Sequence, residues 1–158
     1  MTKKTIWLMS GIPGSGKSTW IKNRLNEDTD IWCSRDAVRF SMVKEDEEYF
    51  SQETKVFRTW INQICDALNN PNIKNIYIDA THINDKSRNK TLSCLPKENI
   101  GEIVNVVFSV SLKECIRRNA NRKGREKVPE DVITNMYNSF SLPQKNKTIF
   151  INEKGEIA

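Results

Sequence analysis

The chain has 158 residues, 37% hydrophobic and 28% charged, with 25 Lys and Arg against 20 Asp and Glu and a formal net charge of +5. That length suits one compact domain over residues 1–158, and no segment approaches the ~18 apolar residues that would make a membrane span. Four scattered cysteines, Cys33, Cys65, Cys94 and Cys115, have neither metal-knuckle nor redox-motif spacing, which points to reduced thiols in a cytoplasmic protein (host cytoplasm if the source is a phage).

Thr5-Ile6-Trp7-Leu8-Met9 is the first candidate strand, and it runs directly into a glycine-rich loop with no small-residue cleavage site, so it does not read as a signal peptide. The loop, Gly11-Ile12-Pro13-Gly14-Ser15-Gly16-Lys17-Ser18-Thr19, satisfies G-x-x-x-x-G-K-[ST] in full. Its glycines let successive N–H groups converge on phosphate oxygens. A helix starting near Lys17 adds the positive end of its dipole. The expected ligand is ATP or another nucleoside triphosphate with Mg²⁺, bound by Gly11, Pro13, Gly14, Ser15, Gly16, Lys17, Ser18 and Thr19. Lys17 reaches the β- and γ-phosphates in this reading, and the Ser18 hydroxyl ligates the metal. Trp20, Ile21 and Leu25 would pin the helix to a sheet.

Asp30-Ile31-Trp32-Cys33 is a weaker strand, followed by Ser34-Arg35-Asp36-Ala37-Val38-Arg39. Asp36 is the candidate general base, able to accept the proton of an attacking hydroxyl at the carboxyl edge of a sheet. Arg39, three residues on, could grip an acceptor phosphate bidentately. The bland alternative is an N-cap aspartate paired with an i,i+3 arginine. Phe57, Trp60, Ile61, Ile64, Cys65 and Leu68 then recur at helical spacing.

Ile76-Tyr77-Ile78 is a strand closing on Asp79, the Walker B arrangement, and Asp79 is expected to hold Mg²⁺ directly or through water. Thr81 and His82 follow as candidate acceptor-site residues. His82 is the chain's single histidine and has no second ligand at zinc-like spacing. Ile103 to Val110 is a further strand, and Leu112, Cys115 and Ile116 begin a short helix.

The segment Arg117 to Lys127 then holds six basic residues and one acidic one. Arg118 and Arg122 fall at i,i+4 and would project together over ATP as a lid, with Gly124 as the turn. Pro129, Glu130 and Asp131 open a helix carrying Ile133, Met136, Tyr137 and Phe140. Thr148 to Ile151 is the last strand. Near-continuous apolar strands alternating with helices imply an α/β P-loop kinase fold: about five parallel strands, helices on both faces, and an arginine-bearing helical lid. A GTPase would need an Asn-Lys-x-Asp segment, and Asn146-Lys147-Thr148 lacks the acid.

Four segments resemble the 5′-kinase domain of the bacteriophage polynucleotide kinase family, in the same order and over most of the chain: the phosphate loop, Arg35-Asp36 with Arg39, Asp79 to Asn84, and Arg118-Asn119 through Val128-Pro129-Glu130-Asp131-Val132. The resemblance implies a kinase acting on 5′-hydroxyl ends of DNA or RNA. It implies Asp36 as base, Arg39 on the acceptor's 3′-phosphate, and Arg122 as the catalytic lid arginine beside Lys17. The lid is one residue longer here, so Arg122 and Arg125 stand as alternatives, and both join Arg118 as ATP-binding candidates. Ala80 replaces an aspartate of the relatives. Their phosphatase domain opens with Asp-x-Asp-Gly, whereas Ile151 to Glu156 lacks those aspartates, so no 3′-phosphatase activity is expected. The rival readings are a kinase for a small metabolite, nucleoside or mononucleotide, and a non-catalytic nucleotide-binding module.

Overall fold

The fold is taken from a computed structural model that describes residues 3–158. Five strands form one sheet: β1 (Lys4–Ser10), β2 (Asp30–Ser34), β3 (Asn75–Asp79), β4 (Ile100–Phe108) and β5 (Lys147–Ile151). Their order is β2-β3-β1-β4-β5, and every neighbouring pair is parallel. The crossovers carry helices: α1 (Lys17–Arg24), α2 (Arg35–Met42), α3 (Glu53–Leu68), α4 (Asp85–Ser93), α5 (Leu112–Ala120) and α6 (Glu130–Ser139). A single 3-10 turn, Gly124–Glu126, separates α5 from α6.

The two-residue period of a strand sorts β1 between two cores. Ile6 and Leu8 face Ile76, Ile78 and the α3 stripe of Val56, Trp60, Ile64 and Leu68. Trp7 and Met9 face the other way, against Trp20 and Ile21 of α1, with Tyr77, Val106 and Phe108. A third cluster of Ile12, Val110, Cys115 and Ile133 closes α5 and α6 onto the phosphate loop. Trp60 is fully buried and its indole N–H donates to the Cys33 carbonyl at 2.9 Å, tying α3 to β2. Trp60→Ala would cost about 3–5 kcal/mol and loosen that tie.

The expected strands and the α3 and α6 stripes are present, and Pro129 does precede α6. The structure adds α4, which the hydrophobic period does not reveal because Asp85 to Ser93 is almost wholly polar. It forms because Asn84 caps it: the Asn84 side chain accepts from Ser87 N at 2.9 Å, and Asn84 N donates back to the Ser87 hydroxyl. Val110 lies just outside β4, in the connection to α5. Among the described residues no helix is long and apolar enough to cross a membrane. The carboxyl ends of β1, β2, β3 and β4 converge at one edge, where the strand order turns back on itself and ligands of such sheets bind.

Candidate active site

The phosphate loop joins β1 to α1. Gly14 has φ 83° and Gly16 φ 97°, both left-handed, and Gly16 is the N-cap residue of α1. A Cβ on Gly14 would lie 2.5 Å from the Cys115 carbonyl oxygen, so the loop is wedged against the α5 backbone. Gly11 N donates to the Thr81 carbonyl at 2.9 Å and binds the loop to the chain leaving β3. The Lys17 ammonium spans the loop, donating to the carbonyls of Gly11 (2.8 Å) and Ile12 (3.1 Å). The Ser15 hydroxyl is buried with no partner among the described residues and packs against Gly11, where a Cβ would lie 2.5 Å from its oxygen, so position 11 too needs a glycine. Ser18 and Thr19 are exposed in the first turn of α1, and Pro13 is half-buried on the loop.

Four charges gather at this edge. Burial pulls the Lys17 ammonium below its ordinary value, Asp79 and then Asp36 oppose that pull, and Arg122 adds to it. Burial raises the Asp79 carboxyl, while Lys17 and a hydrogen bond from Trp32 pull it back and Asp36 raises it further. Trp32 Nε1 donates to Asp79 Oδ2 at 2.9 Å, which leaves Oδ1 to face other partners. Ser18 and Asp79 suit Mg²⁺, which keeps several waters and takes only one or two protein oxygens beside phosphates.

Asp36 sits in the first turn of α2, but the N-cap is Ser34, whose hydroxyl accepts from Ala37 N at 3.1 Å. Freed from capping, the Asp36 side chain is 64% exposed. Its Oδ1 takes the Arg39 Nη1 and the Tyr49 hydroxyl, the latter at 3.2 Å, and no protein donor among the described residues reaches Oδ2. Burial and the Asp36 charge hold the Tyr49 phenol above its ordinary pKa, so it remains a donor. The Arg39 side chain is only 7% exposed, and its Nε donates to Glu53 Oε1 at 2.6 Å. Glu53 Oε2 accepts from Arg35 at 2.9 Å. The rings of Tyr49 and Phe50 cover Arg39 at 4.8 and 5.4 Å. The i,i+3 pair of the bland alternative is therefore present, as part of a larger network, but the N-cap is Ser34 and not Asp36.

Residues 6–143 match the family AAA_33, described as an AAA domain. The chain belongs to that family. It is 29% identical over 143 residues to L-seryl-tRNA(Sec) kinase of Methanococcus maripaludis, covering 86% of this chain and 52% of that protein. Among solved structures it resembles a chain of the Pnkp1/Rnl/Hen1 RNA repair complex, with TM-score 0.71 and 19% identity over 88% of this chain and 44% of that one. An unliganded sugar kinase from Janibacter sp. gives TM-score 0.61 and 13% identity over 98% of this chain and 87% of that one. At such identities the structural likeness is one of fold, the P-loop kinase fold. This chain spans about half the length of the curated relative.

Within this AAA_33 fold, the lid arginines divide. Arg118, on α5, donates to the Glu153 carbonyl (2.7 Å) and the Gly14 carbonyl (3.4 Å), and so braces the phosphate loop. Arg122 follows α5, half-buried, and its charge acts on Lys17. Arg125 does not join them. It donates to the Val43 and Phe40 carbonyls and lies over the Phe40 ring at 4.7 Å. The ATP-binding expectation for Arg125 is corrected: the 3-10 turn aims it at the carbonyl-rich end of α2, where a guanidinium is favoured.

His82 is also corrected. It does not line the acceptor side but is buried, with Nδ1 on the Met9 carbonyl at 2.7 Å and Nε2 on the Thr91 hydroxyl at 3.0 Å. Burial, together with the charges of Arg88, Arg35 and Lys17, pushes its pKa down to about 4. The ring is thus neutral, Nδ1–H donates to Met9, and Nε2 accepts from Thr91. Thr81, beside it, is half-buried, and its carbonyl is spent on Gly11.

Sequence reasoning missed Trp32, Tyr49, Glu53 and the buried Arg88, which donates to the Ser10 hydroxyl (2.8 Å) and the Ser141 carbonyl (2.6 Å). Each acts on a partner far along the chain or in an irregular segment. Only the strand register, which sets Ser34 beside Asp79 and Trp32 beside Tyr77, brings Trp32 near Asp79.

Proposed function

We propose that this chain is a phosphotransferase that moves the γ-phosphate of ATP, or another nucleoside triphosphate, to a 5′-hydroxyl end of DNA or RNA. The observation that carries the reading is the gathering of Lys17, Asp79, Arg122 and an exposed Asp36 with a free Oδ2 at one edge of the sheet. Asp36 Oδ2 accepts the hydroxyl proton as the acceptor oxygen forms its bond to the γ-phosphorus. The bond from that phosphorus to the β–γ bridging oxygen breaks, and the nucleoside diphosphate leaves with that electron pair. Lys17, which rests on the Gly11 and Ile12 carbonyls, and Arg122, on the Glu126 carbonyl, would turn to the phosphoryl oxygens, where charge spreads during transfer. Ser18, and Asp79 directly or through water, would hold Mg²⁺, which would supply further charge neutralisation.

The acceptor class draws support from two relatives, one named as a kinase of an aminoacyl-tRNA and one a member of an RNA repair complex. Of the Arg35–Glu53–Arg39 network beside Asp36, Arg35 is the cation more open to an acceptor phosphate, since Arg39 is covered by Tyr49 and Phe50 and paired with Glu53. The sugar kinase likeness favours a second reading, a small polyol acceptor. Transfer of radiolabelled γ-phosphate to 5′-hydroxyl oligonucleotides, nucleosides, nucleoside 3′-monophosphates and sugars decides between them. Efficient labelling of sugars with none of oligonucleotides would overturn the nucleic-acid reading.

A further inference from the structure

The connection from α2 to α3, residues 43–52, has no helix or strand, yet it carries two aromatic rings to the acceptor edge. Tyr49 and Phe50 meet edge to face with centroids 4.7 Å apart, and Phe40 at the end of α2 meets Tyr49 at 6.2 Å. Arg39 backs both Tyr49 and Phe50, and Arg125 backs Phe40. The group is thus fixed from behind by two cations. Tyr49 closes one end of it on Asp36 Oδ1 at 3.2 Å. Phe50, at the other end, is 59% exposed, more than any other aromatic side chain among the described residues. A phenyl ring needed only to cover Arg39 would gain by burying its outer face as well, at about 25 cal/mol per Å² of apolar surface.

We propose that Phe50, held by Tyr49 and Arg39, is a stacking platform for the nucleobase of the acceptor's terminal nucleotide. The inference rests on the kinase reading and narrows it to acceptors that carry a base. From the Asp36 carboxylate to the Phe50 ring is one tyrosine side chain, a span that one nucleoside bridges with its 5′-oxygen at the acid and its base at the ring. An aromatic face accepts any base, because every base offers a π-surface, so the platform confers a requirement for a base with little preference among the four.

The test compares two 5′-hydroxyl oligonucleotides, one ordinary and one whose terminal nucleotide is abasic, with the full chain and with Phe50→Ala and Phe50→Trp. The abasic end is expected to raise the acceptor KM of the unaltered chain about tenfold, the loss of one stacked base. Phe50→Ala should raise it equally for the ordinary end, with no further loss on the abasic end and no change in the KM for ATP, and Phe50→Trp should restore it. A 2-aminopurine at the 5′ terminus should be quenched by the unaltered chain and not by Phe50→Ala, without turnover. Equal KM values for ordinary and abasic ends, or equal losses on both in Phe50→Ala, would overturn the platform and leave the kinase reading standing. Labelling of sugars with no oligonucleotide labelled at all would overturn both.

Discussion

The two halves of this site, which we read as those for the phosphate donor and its acceptor, are built on opposite plans. The first half is backbone: the loop from Gly11 to Thr19 curls at two left-handed glycines, Gly14 and Gly16, into the N-terminus of α1. The acceptor half is side chain: Asp36, Arg39, Tyr49 and Glu53 converge from α2, an irregular connection and α3. A backbone cradle is set by local geometry and tolerates many neighbours. A side-chain network depends on its members, because the Arg39 and Glu53 charges at its centre are mostly buried and must be paired.

Breaking the acceptor half at its centre has the largest expected effect. Asp36→Asn should lower kcat about 10²–10⁴-fold while ATP still binds, measured by steady-state kinetics beside a nucleotide-binding titration. An unchanged kcat would remove Asp36 as base and favour the non-catalytic reading. On the donor side, Arg122→Ala should lower kcat about 100-fold, whereas Arg125→Ala, facing α2, should alter it less than about threefold. Equal losses would restore Arg125 as a lid arginine.

The buried His82 braces the chain after β3 against β1 and α4, and it makes stability depend on pH. Its folded pKa of about 4 lies below the unfolded value of 6.5, so the unfolded chain binds the extra proton between those values. Stability from this group is complete above pH 6.5 and lost as pH falls toward 4, amounting to about 2 kcal/mol by pH 5. Denaturant unfolding at pH 7 and pH 5, with His82→Asn as the control that should lose this slope, checks it.

A smaller expected loss sharpens the metal side. Trp32→Phe frees Asp79 Oδ2 and should weaken Mg²⁺ affinity about tenfold, read from metal titrations of ADP binding. No change in that titration would reduce Trp32 to packing.

The α/β alternation, the parallel sheet and the phosphate loop were legible because their signals are local: apolar runs of strand length, a helical stripe and a contiguous motif. Asp36, Lys17, Asp79 and Arg122 were legible as candidates because each follows a strand or continues a basic run. The polar α4 was not, since its cause is the Asn84 cap and not a hydrophobic period. Nor was the fate of His82, whose chemistry suits a cleft and a core equally until its neighbours are known.

The sequence by itself determined which strands form, where the triphosphate loop lies and which carboxylates stand at strand ends, because those depend on residues adjacent in the chain. Only the tertiary structure decided that Trp32 holds Asp79, that Tyr49 and Arg39 occupy one oxygen of Asp36, that Arg125 turns away and that His82 is buried. Apart from the i,i+3 pair of Asp36 with Arg39, those outcomes depend on contacts between segments 10 to 85 residues apart, which strand register and helix packing alone bring together.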